Sequence, residues 1–263
     1  MDLNLTGKVA LITGASRGLG AATARLLAAE GARLALSARS AEMLDATAAD
    51  ILAASGTEVA TFAQDLMEPD GADKVAAWAI GEFGHLDILV NSAGAAQGGI
   101  FWEIPDQVWE DGLGLKFFAN MRMIRAVLPH MRERKYGRIV TIAGGGGVQP
   151  QPRALPGGVA NAALLALTSG LSREVVRDGI FINAVNPGPI LTERWTNRFE
   201  AQAAESGRPA QDFQAQVVAN IPMGRMGEAV EVARAVAFLA SDCASNTTGT
   251  SILCDGGEFQ GLA

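Results

Sequence analysis

The stretch "TGASRGLG" runs from Thr13 to Gly20. It follows a short apolar run, "VALIT" (9–13), and opens a segment with helical spacing of apolar residues near 18–30. Gly14, Gly18 and Gly20 permit a tight turn and close backbone approach to a diphosphate. A helix that begins there presents unpaired N–H groups to an anion. Strand, glycine turn and helix in this order read as a dinucleotide-binding unit.

Outward from that turn, two kinds of segment alternate. The β-branched runs are "VALIT" (9–13), "RLALSA" (33–38), "EVATFA" (58–63), "DILV" (87–90), "RIVTIA" (138–143), "FINAV" (181–185) and "SILC" (251–254). Helical patterns lie between them, near 18–30, 41–54, 71–83, 105–132, 158–177 and 228–240. This alternation predicts an α/β fold of three layers, a parallel sheet with helices on both faces and right-handed crossovers. No linker splits the chain, so 1–263 reads as a single domain. The polar segment 190–225 breaks the alternation after the sixth strand. An insert there sits at the carboxyl edge of the sheet, where ligands bind in open α/β folds, and reads as a substrate lid.

Composition narrows the function. The chain has 263 residues, 49% of them hydrophobic, and a net charge of −7. No basic block is present, which argues against a nucleic-acid partner. The two cysteines, Cys243 and Cys254, form no CxxC and read as ordinary buried thiols; with two histidines besides, no metal site is expected. "MDLNLTGKVALITG" has no basic region followed by an apolar run, and the longest apolar runs fall short of a membrane span. The expectation is a cytoplasmic protein without a membrane partner.

Several segments together resemble the short-chain dehydrogenase/reductase family. "TGASRGLG" follows its TGxxxGxG turn; "QDL" (64–66) resembles the acidic residue that holds the adenine; "DILVNSAG" (87–94) resembles its LVNNAG strand, with Ser92 for the second Asn. "NPGPILTE" (186–193) resembles the segment that clasps the nicotinamide, and "SDCASNTTGTSILCDGG" (241–257) resembles the last helix, loop and strand. The resemblance implies a Rossmann-like doubly wound sheet of order 3-2-1-4-5-6-7, a homotetramer or homodimer joined through helices 105–132 and 158–177 and the last strand, and a small-molecule substrate. It assigns the cofactor to Gly14, Ser16, Arg17, Gly18, Leu19, Gly20, Asp65, Leu66, Asn91, Ala93, Gly94, Asn161, Pro187, Gly188, Ile190 and Thr192.

The choice of cofactor has a physical reading. An NAD site carries an acid at the end of the second strand, to bind the ribose 2′-hydroxyl. Here that strand ends Ser37-Ala38-Arg39-Ser40. Arg39, helped by Arg17 and Ser16, suits a 2′-phosphate instead, which places NADP(H) ahead of NAD(H).

The catalytic segment departs from the family. The resemblance implies an Asn–Ser–Tyr–Lys tetrad, in which Tyr moves the proton, Lys lowers the Tyr pKa, Ser stabilises the oxyanion and Asn positions a water. "RIVTIA" sets the Ser position at Gly144; the Tyr position falls at Gly157 and the Lys position at Asn161. Counting back from Pro129 sets the Asn position at Lys116. All four differ, and beyond Tyr136 the chain has no Tyr, Lys or His. Tyr136 itself precedes the fifth strand, at the opposite end of the sheet, and reads as a surface residue. His85 and His130 read as structural.

Three functions stay open on these residues. One is redox chemistry with substitutes, in which Lys116 and Asn161 exchange the family's Asn and Lys, and a desolvated Lys116 acts as the acid. The second is hydride transfer to an activated C=C or C=N, or a non-redox lyase or isomerase reaction, with the glycines leaving room for a larger substrate or for water. The third is a binding protein that senses NADP(H) or a ligand without turnover. Gln97, Trp102, Gln149, Arg153, Glu193 and Trp195 are the candidate substrate-pocket residues.

Overall fold

In the computed structural model, which describes residues 2–261, seven parallel strands form one sheet. They are β1 (Val9–Thr13), β2 (Arg33–Ala38), β3 (Val59–Ala63), β4 (Ile88–Asn91), β5 (Gly137–Ile142), β6 (Ile180–Pro187) and β9 (Ser251–Cys254). The order is β3-β2-β1-β4-β5-β6-β9, the one expected, with β9 as the carboxyl-terminal strand. β1, β4 and β5 are buried at every position, as strands covered on both faces must be.

Six helical regions were expected, and one of them is divided. α1 (Gly18–Ala29), α2 (Ala41–Ser55) and α3 (Gly71–Phe83) follow the first three strands. The predicted helix 105–132 is instead α4 (Asp106–Leu113), a π-turn (Gly114–Phe118) and α5 (Ala119–Arg134). A π-turn inserts an extra residue into the helical ladder, so it rotates the side chains it carries. Lys116 is the middle residue of that turn.

α6 (Leu155–Val175) continues into a 3₁₀ turn. Contrary to the sequence expectation, the span Leu155–Asp178 is long and apolar enough to cross a membrane, with a mean hydropathy of 1.2. Its inner face is nevertheless buried, through Ala160, Leu164, Thr168, Ser172 and Val175. α9 (Ala229–Ala240) packs beside α1, and its start is fixed by a capping box between Glu228 and Glu231.

One large core fills each face of the sheet. The segment 190–225 forms a third body. A short parallel pair, β7 (Ile190–Leu191) with β8 (Gly227–Glu228), anchors it, and α7 (Glu193–Ser206) and α8 (Ala210–Val218) enclose Phe199, Ile221 and Met226.

Candidate active site

Two glycines of the turn after β1 leave no room for a side chain. Gly14 has φ +65°, and a Cβ there would lie 2.9 Å from the Ala93 backbone. A Cβ at Gly20 would lie 2.3 Å from the Gly14 carbonyl oxygen. Gly18, at φ +58°, faces open space at the amino end of α1. Arg17, the residue before that helix, makes no side-chain cap, and the first turn holds no acid. Uncapped N–H groups behind an open glycine cradle suit a diphosphate.

The neighbouring loops are tied to this turn. Thr13 Oγ1 accepts from the N–H groups of Ser92 and Ala93 at 3.2 Å. Arg39 stands exposed beyond β2, where Ser40 caps α2 through the Met43 N–H. Asp65 caps its own turn by accepting from Met67 N–H at 2.9 Å, with Leu66 buried beside it. Asn91 is fully buried, with its amide against the Asn120 carbonyl. Pro187 and Ile190 are buried at the base of the lid, and Thr192 opens α7 with its hydroxyl unused as a cap.

The sequence-predicted catalytic positions converge on one peptide, Ala143–Gly144, just beyond β5. Lys116 Nζ donates to the Ala143 carbonyl oxygen at 2.7 Å. Gly144 N–H donates to Asn186 Oδ1 at 3.4 Å. Asn161, buried in α6, brings its amide nitrogen within 2.9 Å of where a Gly144 Cβ would stand. Lys116 and Asn161 therefore approach the same peptide from two sides, without a hydrogen bond between them.

Burial pulls the Lys116 ammonium down to about 8, with the Arg194 guanidinium contributing. Its stem passes Gly94, where a Cβ would lie 3.0 Å from Lys116 Cγ. Asn161 Oδ1 and Asn186 Nδ2 are buried with no hydrogen-bond partner. The site thus holds an acceptor, a donor and two spare ammonium protons within a small polar enclosure.

The space expected at Gly144 is taken by the Asn161 amide, while Gly157 keeps room beside it. Gly145–Gly147 form a 3₁₀ turn laid on α6. A Cβ at Gly147 would meet Asn161 Cβ at 2.8 Å, and one at Gly158 would meet the Gly146 carbonyl oxygen at 3.1 Å. Gly157 faces Ala96, whose Cβ would lie 3.4 Å from its own.

The expected pocket residues divide. Glu193 lies 3.5 Å from Arg17, so it bridges the lid and the cofactor turn. Gln97 and Arg153 are exposed on two loops that cross: Gly99 N–H donates to the Arg153 carbonyl at 2.8 Å. Trp102 is 82% exposed beside them. Gln149 Oε1 accepts from Gln260 N–H at 3.1 Å, which ties its loop to the tail after β9. Trp195 is turned into the lid's own core against Phe199, at 5.4 Å between ring centroids. A helix places consecutive residues about 100° apart, so its exposed neighbour Arg194 takes another direction and reaches the Ala96 carbonyl at 3.5 Å.

Sequence reading missed Arg194 and Glu258. Glu258 Oε2 lies 3.1 Å from where a Gly188 Cβ would stand, brought there by the tail after β9. Burial, with Asp255 beside it, raises its pKa. The signal for Arg194 was the helical phase of the lid; for Glu258 no local pattern existed.

Residues outside the site also settle. Tyr136 is not a free surface residue. It is half-buried, donates to Asp242 at 3.0 Å and lies under Lys8 and Arg138, and burial raises its pKa. It does stand before β5, at the end of the sheet opposite the glycine turn. His85 lies 3.1 Å from Asp87, and His130 accepts from the Leu86 N–H. Cys243 is exposed rather than buried, and Cys254 is half-buried; both are free thiols.

Comparison with known proteins agrees with this architecture. The family model described as Enoyl-(Acyl carrier protein) reductase matches residues 14–258. The 3-oxoacyl-(acyl-carrier-protein) reductase FabG of Escherichia coli is 35% identical over 257 residues, 98% of this chain and 99% of that protein. The structure of L-sorbose reductase from Gluconobacter frateurii, complexed with NADPH and L-sorbose, superposes with a TM-score of 0.96 at 34% identity over 100% of both chains. With the glycine turn, the seven-strand order and these matches along almost its whole length, the chain belongs to the short-chain dehydrogenase/reductase family and is an oxidoreductase of that type.

Proposed function

We propose that the protein is an NADP(H)-dependent reductase of a small-molecule carbonyl, or of an activated C=C or C=N, in which Lys116 replaces the family's phenol. The observation that carries this reading is the Lys116 ammonium, enclosed beside Gly144 with one proton on the Ala143 carbonyl and a pKa near 8.

The cofactor supplies hydride when bound. Arg39, Arg17 and Ser16 take the 2′-phosphate, and the amino end of α1 takes the diphosphate. The L-sorbose reductase complexed with NADPH supports this choice. Reduction of a carbonyl would place negative charge on its oxygen, which needs a proton. A Lys116 N–H would meet that oxygen and deliver the proton, and solvent would restore it. A group with a pKa near 8 is mostly protonated at pH 7 and still a competent acid. Asn161, at the family's Lys position, orients the ribose as a neutral amide.

Exposed apolar positions, Val159 on α6 and Phe118 at the end of the π-turn, support association into a dimer or tetramer through these helices. Light scattering of the purified protein tests this.

The deciding experiment is NADPH oxidation over a panel of ketones, enones and imines, with Lys116→Met beside the wild type. Turnover that falls by about 10²–10³ in the variant supports the reading. Tight NADPH binding with no turnover on any class points instead to the sensing function, which the packed glycine turn favours.

A further inference from the structure

Two cations face the cleft, and among the described residues neither has an acidic partner. Lys116 rests against Gly94 in the loop after β4 and uses one N–H on Ala143. Arg194 reaches down from the first turn of α7 to Ala96 in that same loop. The loop segment Gly94–Ala96 therefore separates an ammonium from a guanidinium. None of the ion pairs formed by the described residues includes either one. Glu193, next to Arg194 in sequence, is turned to Arg17. Glu258 stands across the cleft at Gly188.

Two neighbouring cations that no carboxylate pairs repel each other, and a ligand of the opposite charge seated between them relieves that repulsion. Arg194 also has the planar fork that matches a carboxylate or phosphate, and most of its N–H groups are uncommitted.

We propose that Arg194 is the anion anchor of the substrate, so that the preferred substrates carry a carboxylate or phosphate beside the reducible carbonyl, in the manner of oxo acids. With the anion held by Arg194 on the lid, the adjacent carbonyl oxygen falls toward the spare Lys116 protons. This assignment rests on the reductase reading and gives it a substrate class. It also accounts for a lid that places an arginine, rather than its aromatic neighbour Trp195, over the cleft.

The test compares charged and neutral twins on the NADPH-loaded protein: 2-oxo and 3-oxo acids against their methyl esters, and dihydroxyacetone phosphate against dihydroxyacetone. The expected result is a wild-type kcat/KM preference for the anion of roughly 10- to 100-fold, lost in Arg194→Leu and partly kept in Arg194→Lys. Preference within the acid or phosphate pair identifies which anion is meant. Binding of oxamate, an unreactive oxo-acid mimic, is titrated in parallel by calorimetry. No turnover together with Arg194-dependent oxamate binding would remove the reductase reading and keep the anchor. Equal turnover of acid and ester, or a preference that survives in Arg194→Leu, would overturn the anchor and keep the reductase. A tenfold loss of NADPH affinity in Arg194→Leu with the anion preference intact would assign the residue to the cofactor and also overturn it.

Discussion

Lys116 holds the carbonyl of Ala143 at 2.7 Å, and the N–H of the next residue, Gly144, is held by Asn186 at 3.4 Å. The peptide that follows β5 is thus clamped at both ends by side chains from two other elements. A charge-assisted hydrogen bond of this kind is among the stronger polar contacts, and it orients the ammonium as well as the peptide. Lys116 is the middle residue of the π-turn that divides the helix expected over 105–132.

The acid assignment sets a pH profile. If Lys116 delivers the proton, kcat for reduction is level below pH 7 and falls as pH rises through about 8. Glu258 as the donor instead gives a decline at lower pH, starting above the ordinary carboxylate range from which burial raises it. Steady-state rates from pH 5 to 10 at saturating NADPH separate the two.

The same group shapes stability. The folded-state pKa lies below the value of an exposed lysine, so the unfolded chain binds more protons between about pH 8 and 10.5. Stability therefore rises with pH across that window, by on the order of 2–3 kcal/mol from this residue. Urea unfolding at pH 7.5 and pH 10 measures the rise, and Lys116→Met flattens it.

Side chains at residue 144 are expected to destabilise the fold. Gly144 has φ +138°, which L-residues rarely adopt, and its Cβ would press on the Asn161 amide at 2.9 Å. Gly144→Ser costs about 1–3 kcal/mol by strain alone. Pairing it with Asn161→Gly relieves the contact and leaves the strain, so denaturation midpoints of the single and double variants resolve the two contributions.

The role proposed for Arg39 at the 2′-phosphate predicts how the two cofactors are told apart. Arg39→Ala weakens NADPH binding roughly 10- to 100-fold and leaves NADH within twofold, because only the 2′-phosphate distinguishes them. Fluorescence titration with both dinucleotides reads the ratio. Equal losses for both, or none, would remove Arg39 from the phosphate site.

Much of the fold was legible because its signals are local. "VALIT" and "RIVTIA" are buried strands whose β-branched residues suit no other place, and Gly14 and Gly20 are required by contacts within a few residues of themselves. The register that puts Gly144, Gly157 and Asn161 at the family's tetrad positions is a count from the flanking strand and helix, and it stays part of the proposal. The π-turn was not, because the extra residue is stabilised by tertiary contacts at Ala143 and Gly94 rather than by propensity. Trp195 was misplaced because an aromatic residue satisfies either a pocket or the lid's own core, and only the third dimension chose. Glu258 reaches Gly188 from the far end of the chain, a contact without any trace in sequence spacing.

The backbone conformation at Gly144 also bears on redesign. A serine installed there alone would occupy a strained backbone and press on the Asn161 amide. Redesign for stronger catalysis therefore starts from the groups around Lys116 and Arg194, where no such backbone has to be re-formed.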